Sequence, residues 1–220
     1  MHALDSVLLV RHARSIANDD AAVYRAMPDH SIPLARPDDD PVALAVGARL
    51  QSLGMDPARV CAWSSTYLRC VQTRELALRA CFGAAAASVA RRESFLVREQ
   101  EFGDWDGLDE AEMERFDPVR FAKRKRMSDA HGRFYFRYPC GESRAEVVQR
   151  CSLLIGKLYR SRFQHHLVFL HGVSQRALRM AWFNRPVDWF ESEPNPRNCE
   201  AIAIRRVPDP VKDRWEESNL

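Results

Sequence analysis

Short apolar runs alternate along the chain with longer stretches in which apolar residues recur every three or four positions. Val7–Val10, Val60–Trp63, Phe95–Val97, Leu167–Leu170 and Ala201–Arg205 are compact runs rich in β-branched, aliphatic and aromatic residues, and predict buried strands. Between them, Val42–Leu53, Leu68–Cys81, Arg144–Arg162 and Gln175–Trp182 follow the helical period. In the third of these, Val147, Val148, Cys151, Leu154, Ile155 and Leu158 share one face. Strands alternating with helices predict an α/β fold, a three-layer sandwich with a largely parallel central sheet and helices on both faces. Two segments fit neither period: "PDHSIPLARPDDDP" from Pro28, and an inserted stretch over about 108–140. Long connections in such folds tend to lie over the active site, so the insertion is expected to cover substrate.

Composition sets the scale without changing that picture. With 220 residues, 46% hydrophobic and 29% charged, the chain can bury one substantial core, and a single domain over 1–220 is expected. A net charge of +3 is too mild to argue for nucleic acid or an anionic membrane, and leaves small anionic molecules as the expected partners. The basic run Lys123-Arg124-Lys125-Arg126 lacks interleaved aromatics and reads as a solvated helix face. An alternative has one or two of Arg120, Lys123, Arg133 and Arg137 reaching over the site to a second anionic group. The six cysteines show no C-x-x-C pair, and the N-terminal "MHALDSVLLVRHARS" lacks a leader's apolar core; reduced thiols and a cytoplasmic location are expected. No apolar run approaches the roughly 20 residues of a membrane helix.

The polar residues that follow the strands carry the chemistry. Ligands of open α/β sheets bind outside the carboxyl ends of the strands. Arg11-His12 follows "VLLV", Ser64-Ser65 and then Arg69 follow "VCAW", Arg98-Glu99 follows "FLV", and His171-Gly172 follows "LVFL". A histidine after one strand is most simply a hydrogen-bonded structural residue; four such coincidences at one sheet edge are not so easily dismissed. Two histidines, two arginines and a glutamate make a site for an anion with acid–base capacity, and phosphate is the anion that guanidinium forks suit best.

The segment "LVRHARSIAN" resembles the R-H-G-x-S/T signature of the histidine phosphatase superfamily, the phosphoglycerate mutase-like enzymes. "SSTYLRCVQT", "VREQEFGDWDG" and "LVFLHGVSQRAL" resemble three further blocks of that family in the same order. The resemblance implies that His12 is the nucleophile that becomes phosphohistidine, that Arg11, Arg69 and His171 bind the transferred phosphoryl group, and that Glu99 is the general acid. It implies Asn18 near the phosphate and puts Ser15 and Gly172 in the substrate-contact set, with Arg14 and Arg137 as further candidates. No metal and no cofactor are required. Flanking guanidinium groups are expected to push the His12 pKa down from about 6.5, keeping the ring neutral and nucleophilic.

Two positions depart from the family pattern. Ala13 replaces the usual glycine, which matters only if that backbone needs positive φ. Arg14 stands where an acidic or polar residue is common, and either faces substrate or points to solvent. The "GRFYFRYPCGES" segment resembles phosphatase members, so the expected activity is phosphomonoester hydrolysis; a phosphoglycerate mutase and an inactive phosphate-binding module are the alternatives. Phe134–Phe136 reads as a lid anchored to the core, and Trp105, Trp182 and Trp189 as packing. Pro208 and Pro210 discourage an ordered closing helix in the tail after Arg206.

Overall fold

In the computed structural model, which describes residues 4–209 and 214–220, the run SVLLVR forms β1 (Ser6–Arg11). The further strands are β2 (Val60–Ser64), β3 (Ala90–Glu93), β4 (His165–Leu170), β5 (Ala201–Val207) and β6 (Arg214–Asn219). They lie in the order β3-β2-β4-β1-β5-β6. β3, β2, β4 and β1 pair in parallel, whereas β5 and β6 run antiparallel along one edge. Parallel pairing puts the carboxyl ends of β1, β2 and β4 side by side, with Val10 level with Phe169 and Phe169 level with Ser64.

Helices cover both faces. They are α1 (Ile16–Asp19), α2 (Val23–Ala26), α3 (Pro41–Gln51), α4 (Leu68–Phe82), α5 (Glu110–Phe116), α6 (Pro118–His131), α7 (Arg144–Tyr159), α8 (Gly172–Phe183) and α9 (Val187–Ser192). The strand pleat sends alternate side chains to opposite layers. Leu8, Val10, Val60, Ala62, Leu167 and Phe169 pack with Val46 and Leu50 of α3 and Leu76 and Ala77 of α4. Val7, Leu9, Cys61, Trp63, Val168 and Leu170 pack with Val147, Cys151 and Leu154 of α7, Leu178 of α8 and Phe190 of α9. Each fully buried Val or Leu contributes about 1.5–3 kcal/mol, so the central strands are held from both sides.

Three expectations need correction. Phe95–Val97 is a 3₁₀ turn, capped by the Ser94 side chain accepting from the Leu96 amide, and it buries Leu96 and Val97 against the α7 layer. The strand here is the polar Ala90–Glu93, three of whose residues are exposed. An edge strand needs no apolar faces, and charge on it discourages pairing with another chain. The insertion over 108–140 is not irregular. It contains α5 and α6, started by Asp109, whose side chain accepts from the Glu112 amide, and by Asp117-Pro118, and α6 stops at Gly132 with φ 74°. Lys123–Arg126 lie on α6, where Arg124 is buried and pairs with Glu110 at 3.0 Å, so this run is only in part a solvated face. Of the tail after Arg206, Pro210 lies outside the described residues, and Arg214–Asn219 adds β6 beside β5, where Glu217 pairs with Arg179 and Arg185.

Candidate active site

The carboxyl edge of the sheet opens into a cavity of about 270 Å³. Arg11, His12, Asn18, Arg69 and Glu99 line its inner end; Tyr24, Asp29, Phe102, Trp105, Asp106, Leu108, Met113 and Tyr138 line the remainder.

His12 leaves β1 with its amide donating to Leu170 O on β4 at 2.9 Å, so the sheet fixes its backbone. Its Nδ1 lies 2.7 Å from Ala13 O, which can only accept; Nδ1 therefore carries the proton in the neutral ring, and Nε2 keeps its lone pair. Burial, then Arg69 and Arg11, lower the His12 pKa well below 6.5, against a smaller opposing effect of the Ala13 carbonyl. Thr73 Oγ1 accepts from the Ala13 amide at 2.9 Å. Among the described non-glycine residues only Cys140, Asn184 and Cys199 have positive φ, so Ala13 carries no strain in place of glycine.

Arg69 sits in the first turn of α4, 1% exposed, over the Tyr67 ring at 5.0 Å. Its Nη1 donates to the carbonyl and carboxylate oxygens of Asp29, both at 2.7 Å. Arg11 is anchored by a bond from Nη1 to Pro196 O. The Nε–H groups of both arginines are buried with no acceptor. Both residues line the one cavity, and two guanidinium groups there suit an anion's oxygens. Asn18 Oδ1 accepts from the Ser15 amide and hydroxyl and from Asn198 Nδ2, so its amide nitrogen is the end free to meet an anion. Ser15 is buried at the start of α1 and holds the Asn18 side chain.

Glu99 follows the 3₁₀ turn, and its Oε1 accepts from the Gln100 amide at 3.0 Å. Loss of water raises its pKa, opposed by that amide and by Arg69, Arg11 and Arg150. Its backbone is pinned by Arg150 of α7, which donates to Leu96 O, Arg98 O and Glu99 O at 2.8, 2.9 and 2.9 Å. Arg150 is held in turn by Glu142 at 2.9 and 3.0 Å. His171 starts α8 and is fully buried, its ring edge-on to His12 with centroids 5.1 Å apart. Its Nε2 lies 2.9 Å from Ser65 Oγ and 3.3 Å from Cys70 Sγ. Burial, with Arg69, His12 and Arg11, lowers its pKa well below 6.5. It packs behind His12 rather than lining the cavity. A Cβ on Gly172 would fall 2.3 Å from Asn195 Oδ1, which fits the absence of a side chain there.

Of the expected contact set only Asn18 lines the cavity: Ser15 and Gly172 are buried outside it, and Arg14 and Arg137 stand apart from it. Arg14 is exposed and pairs with Asp19. Arg137 is exposed, donates to Gly141 O at 3.0 Å and pairs with Glu146 at 3.5 Å. Arg137, Arg120 and Lys123 line a separate shallow cavity, and Arg133 pairs with Glu110, so none of the four lines the cavity at His12. Trp105 packs against Phe136, as expected, and in addition lines the cavity. Asn198, Arg150, Asp29, Tyr24 and Asp106 escape a reading of the sequence alone. The "CGES" segment containing Glu142 was the one visible signal near Arg150. Among the described residues no group of three or more His, Cys, Asp or Glu side chains is placed to hold a metal ion, and no helix is long and apolar enough to cross a membrane.

The chain belongs to the histidine phosphatase superfamily (branch 1): the family profile matches residues 7–212. The chain is 32% identical over 217 residues to the phosphoglycerate mutase-like protein AT74 of Arabidopsis thaliana, covering 88% of this chain and 62% of that protein. It is 30% identical to the related AT74H of the same plant, covering 88% and 71%. The chain thus spans somewhat under two thirds of the length of AT74. In fold it is similar to a mycobacterial glucosyl-3-phosphoglycerate phosphatase, with a TM-score of 0.72, 20% identity and 98% of each chain covered.

Proposed function

We propose that the protein hydrolyses phosphomonoesters through a phosphohistidine on His12. The observation that carries this reading is the convergence of Arg11 and Arg69 on the cavity that is also lined by His12, Asn18 and Glu99. The oxygens of a phosphoryl group would meet the two guanidinium groups and the Asn18 amide, and the two cations would stabilise charge in flight. In the first step Nε2 of neutral His12 forms a bond to phosphorus while the ester P–O bond breaks, and protonated Glu99 gives its proton to the leaving oxygen. In the second, Glu99 takes a proton from water as the water oxygen bonds to phosphorus and the N–P bond breaks. Inorganic phosphate and neutral His12 are regenerated. The directions of both pKa shifts support these roles: His12 is kept unprotonated, and Glu99 is biased towards its acid form. His171, through its edge contact with His12, positions the nucleophile.

The test is Glu99→Gln. Hydrolysis of alkyl phosphates should fall on the order of 10²-fold or more, and of aryl phosphates with acidic phenols far less, since a good leaving group needs little protonation. Equal losses on both would remove Glu99 from the acid role.

A further inference from the structure

A second cavity, of about 370 Å³, lies between α6 and the chain that follows it. Arg120, Lys123 and Met127, spaced i, i+3 and i+7 along α6, share one face of the helix and form one wall. Tyr135, Phe136, Arg137 and Pro139 form the other. Three cations and no carboxylate therefore line it. Lys123 has no carboxylate partner among the described residues. Arg120 reaches Asp104 and Asp117 only at 3.8 and 3.5 Å, and Arg137 reaches Glu146 at 3.5 Å, both from exposed positions. Exposed pairs of this kind contribute about 0–1 kcal/mol, so both guanidinium groups are open to a stronger anion. Phe136 belongs to the layer that divides this cavity from the active one. It stacks on Trp105 with centroids 6.0 Å apart and meets Tyr138 edge-on at 5.5 Å, and Trp105 and Tyr138 line the active cavity. The two cavities share this wall of rings and no lining residue.

The volume suits a small molecule, and a lining that joins apolar surface to a few charged groups is what such sites present. An inorganic anion would meet the three cations and leave the surfaces of Tyr135, Phe136, Met127 and Pro139 in water. A purely apolar ligand would cover those surfaces and desolvate the cations without pairing them. An aromatic ring that carries an anionic group satisfies both. Tyr135 is 57% exposed, which leaves aromatic surface for stacking, and Met127 supplies an adaptable thioether beside it. Nucleobases stack on tyrosine rings and guanidinium planes alike. We propose that this cavity is a second ligand site, for a mononucleotide whose base packs on Tyr135 and Met127 and whose phosphate meets Arg120, Lys123 and Arg137. The ring layer separates the occupant from His12, so it is held there without being hydrolysed. The site stands whether or not His12 carries a phosphoryl group.

AMP is the probe, followed by calorimetry. AMP is itself a phosphomonoester, so the titration is run in enough inorganic phosphate to fill the active cavity. AMP should still bind, at one site per chain. Ribose 5-phosphate, which keeps the anion and lacks the base, should bind about tenfold or more weakly, a difference of about 1.4 kcal/mol. Tyr135→Ala should weaken AMP about tenfold and leave ribose 5-phosphate nearly unchanged. Lys123→Glu and, independently, Arg120→Glu reverse a charge on the α6 wall, and each should weaken both ligands by about tenfold or more. All three side chains are exposed, so the Tm of each variant should stay within about 2 °C of the parent, which separates lost binding from lost fold. No AMP binding in phosphate, AMP binding that survives both charge reversals, or equal affinities for AMP and ribose 5-phosphate would overturn the inference. Each of these results would leave the phosphatase reading untouched, since that is measured by release of phosphate at His12.

Discussion

Arg150 is the residue through which the second helical layer controls the acid, and its removal makes a quantitative prediction. Its side chain is 10% exposed and makes five hydrogen bonds: three to the carbonyls of Leu96, Arg98 and Glu99, and two to the Glu142 carboxylate. Arg150→Met keeps most of the aliphatic length and removes every donor. Unpaired buried acceptors cost about 1–3 kcal/mol each where water cannot reach them, and removing one partner of a buried ion pair costs about 3–5 kcal/mol. Water entering the vacated space, and Arg98, which still pairs with Glu142 at 2.7 Å, both reduce the sum. A loss of about 3–5 kcal/mol is the expected net. For a chain of 220 residues each kcal/mol moves Tm by about 2–4 °C, so Tm should fall by about 6–20 °C. Activity should suffer separately, because a shift of about 1 Å in an acid group can cost about 10²-fold. The alkyl rate should therefore fall more than the aryl rate. Adding Glu142→Gln to Arg150→Met removes the stranded charge, so the double variant should be more stable than the two single losses summed predict, by about 1–3 kcal/mol. Calorimetry and urea melts of the four proteins give the cycle. A Tm within about 2 °C of the parent, with an unchanged alkyl-to-aryl ratio, would refute the pinning argument.

Three further outcomes follow from the site. Because the His12 pKa lies well below 6.5, formation of the phosphoenzyme should fail only as pH falls through that lowered value; the raised Glu99 pKa means the alkyl-to-aryl ratio should drop as pH rises through it, and the drop should vanish in Glu99→Gln. Inorganic phosphate at about 100 times its Kd should stabilise the fold by about 2.7 kcal/mol, a Tm rise of about 5–10 °C for this length, and Arg69→Met should abolish that rise in a thermal-shift assay. Arg137→Ala alters an exposed side chain outside the cavity; kcat/KM for p-nitrophenyl phosphate should stay within about twofold, as for other surface changes, and a tenfold loss would show that Arg137 reaches the site.

The sheet and the inner end of the cavity were legible because both follow from short-range pattern. "VLLV" and "LVFL" are apolar on both faces, as central parallel strands must be, and the residues that follow such strands fall on one edge. That logic locates His12 and Arg69 without any knowledge of packing. It fails where an element is defined by what it lacks: β3 is polar because it is an edge, so the nearby apolar "FLV" is mistaken for it, although Ser94 caps a turn there. In α6 the start and stop signals, Asp117-Pro118 and Gly132, were readable, but the apolar period that would have joined them is weak, because this helix buries Arg124 among its few inward residues. Arg150 donates to Glu99 O, Asn198 to His12 O, and Asp29 accepts from Arg69, partners 51, 186 and 40 positions away that only the folded chain brings together.

The covalent intermediate is the claim on which the account turns. Protein mixed with a ³²P-labelled phosphomonoester and quenched during turnover should yield label that survives alkali, is lost in acid, and maps to His12, because the phosphoramidate N–P bond hydrolyses in acid. The label should be absent in His12→Ala. Label that resists acid, or that persists when His12 is replaced, would contradict the mechanism.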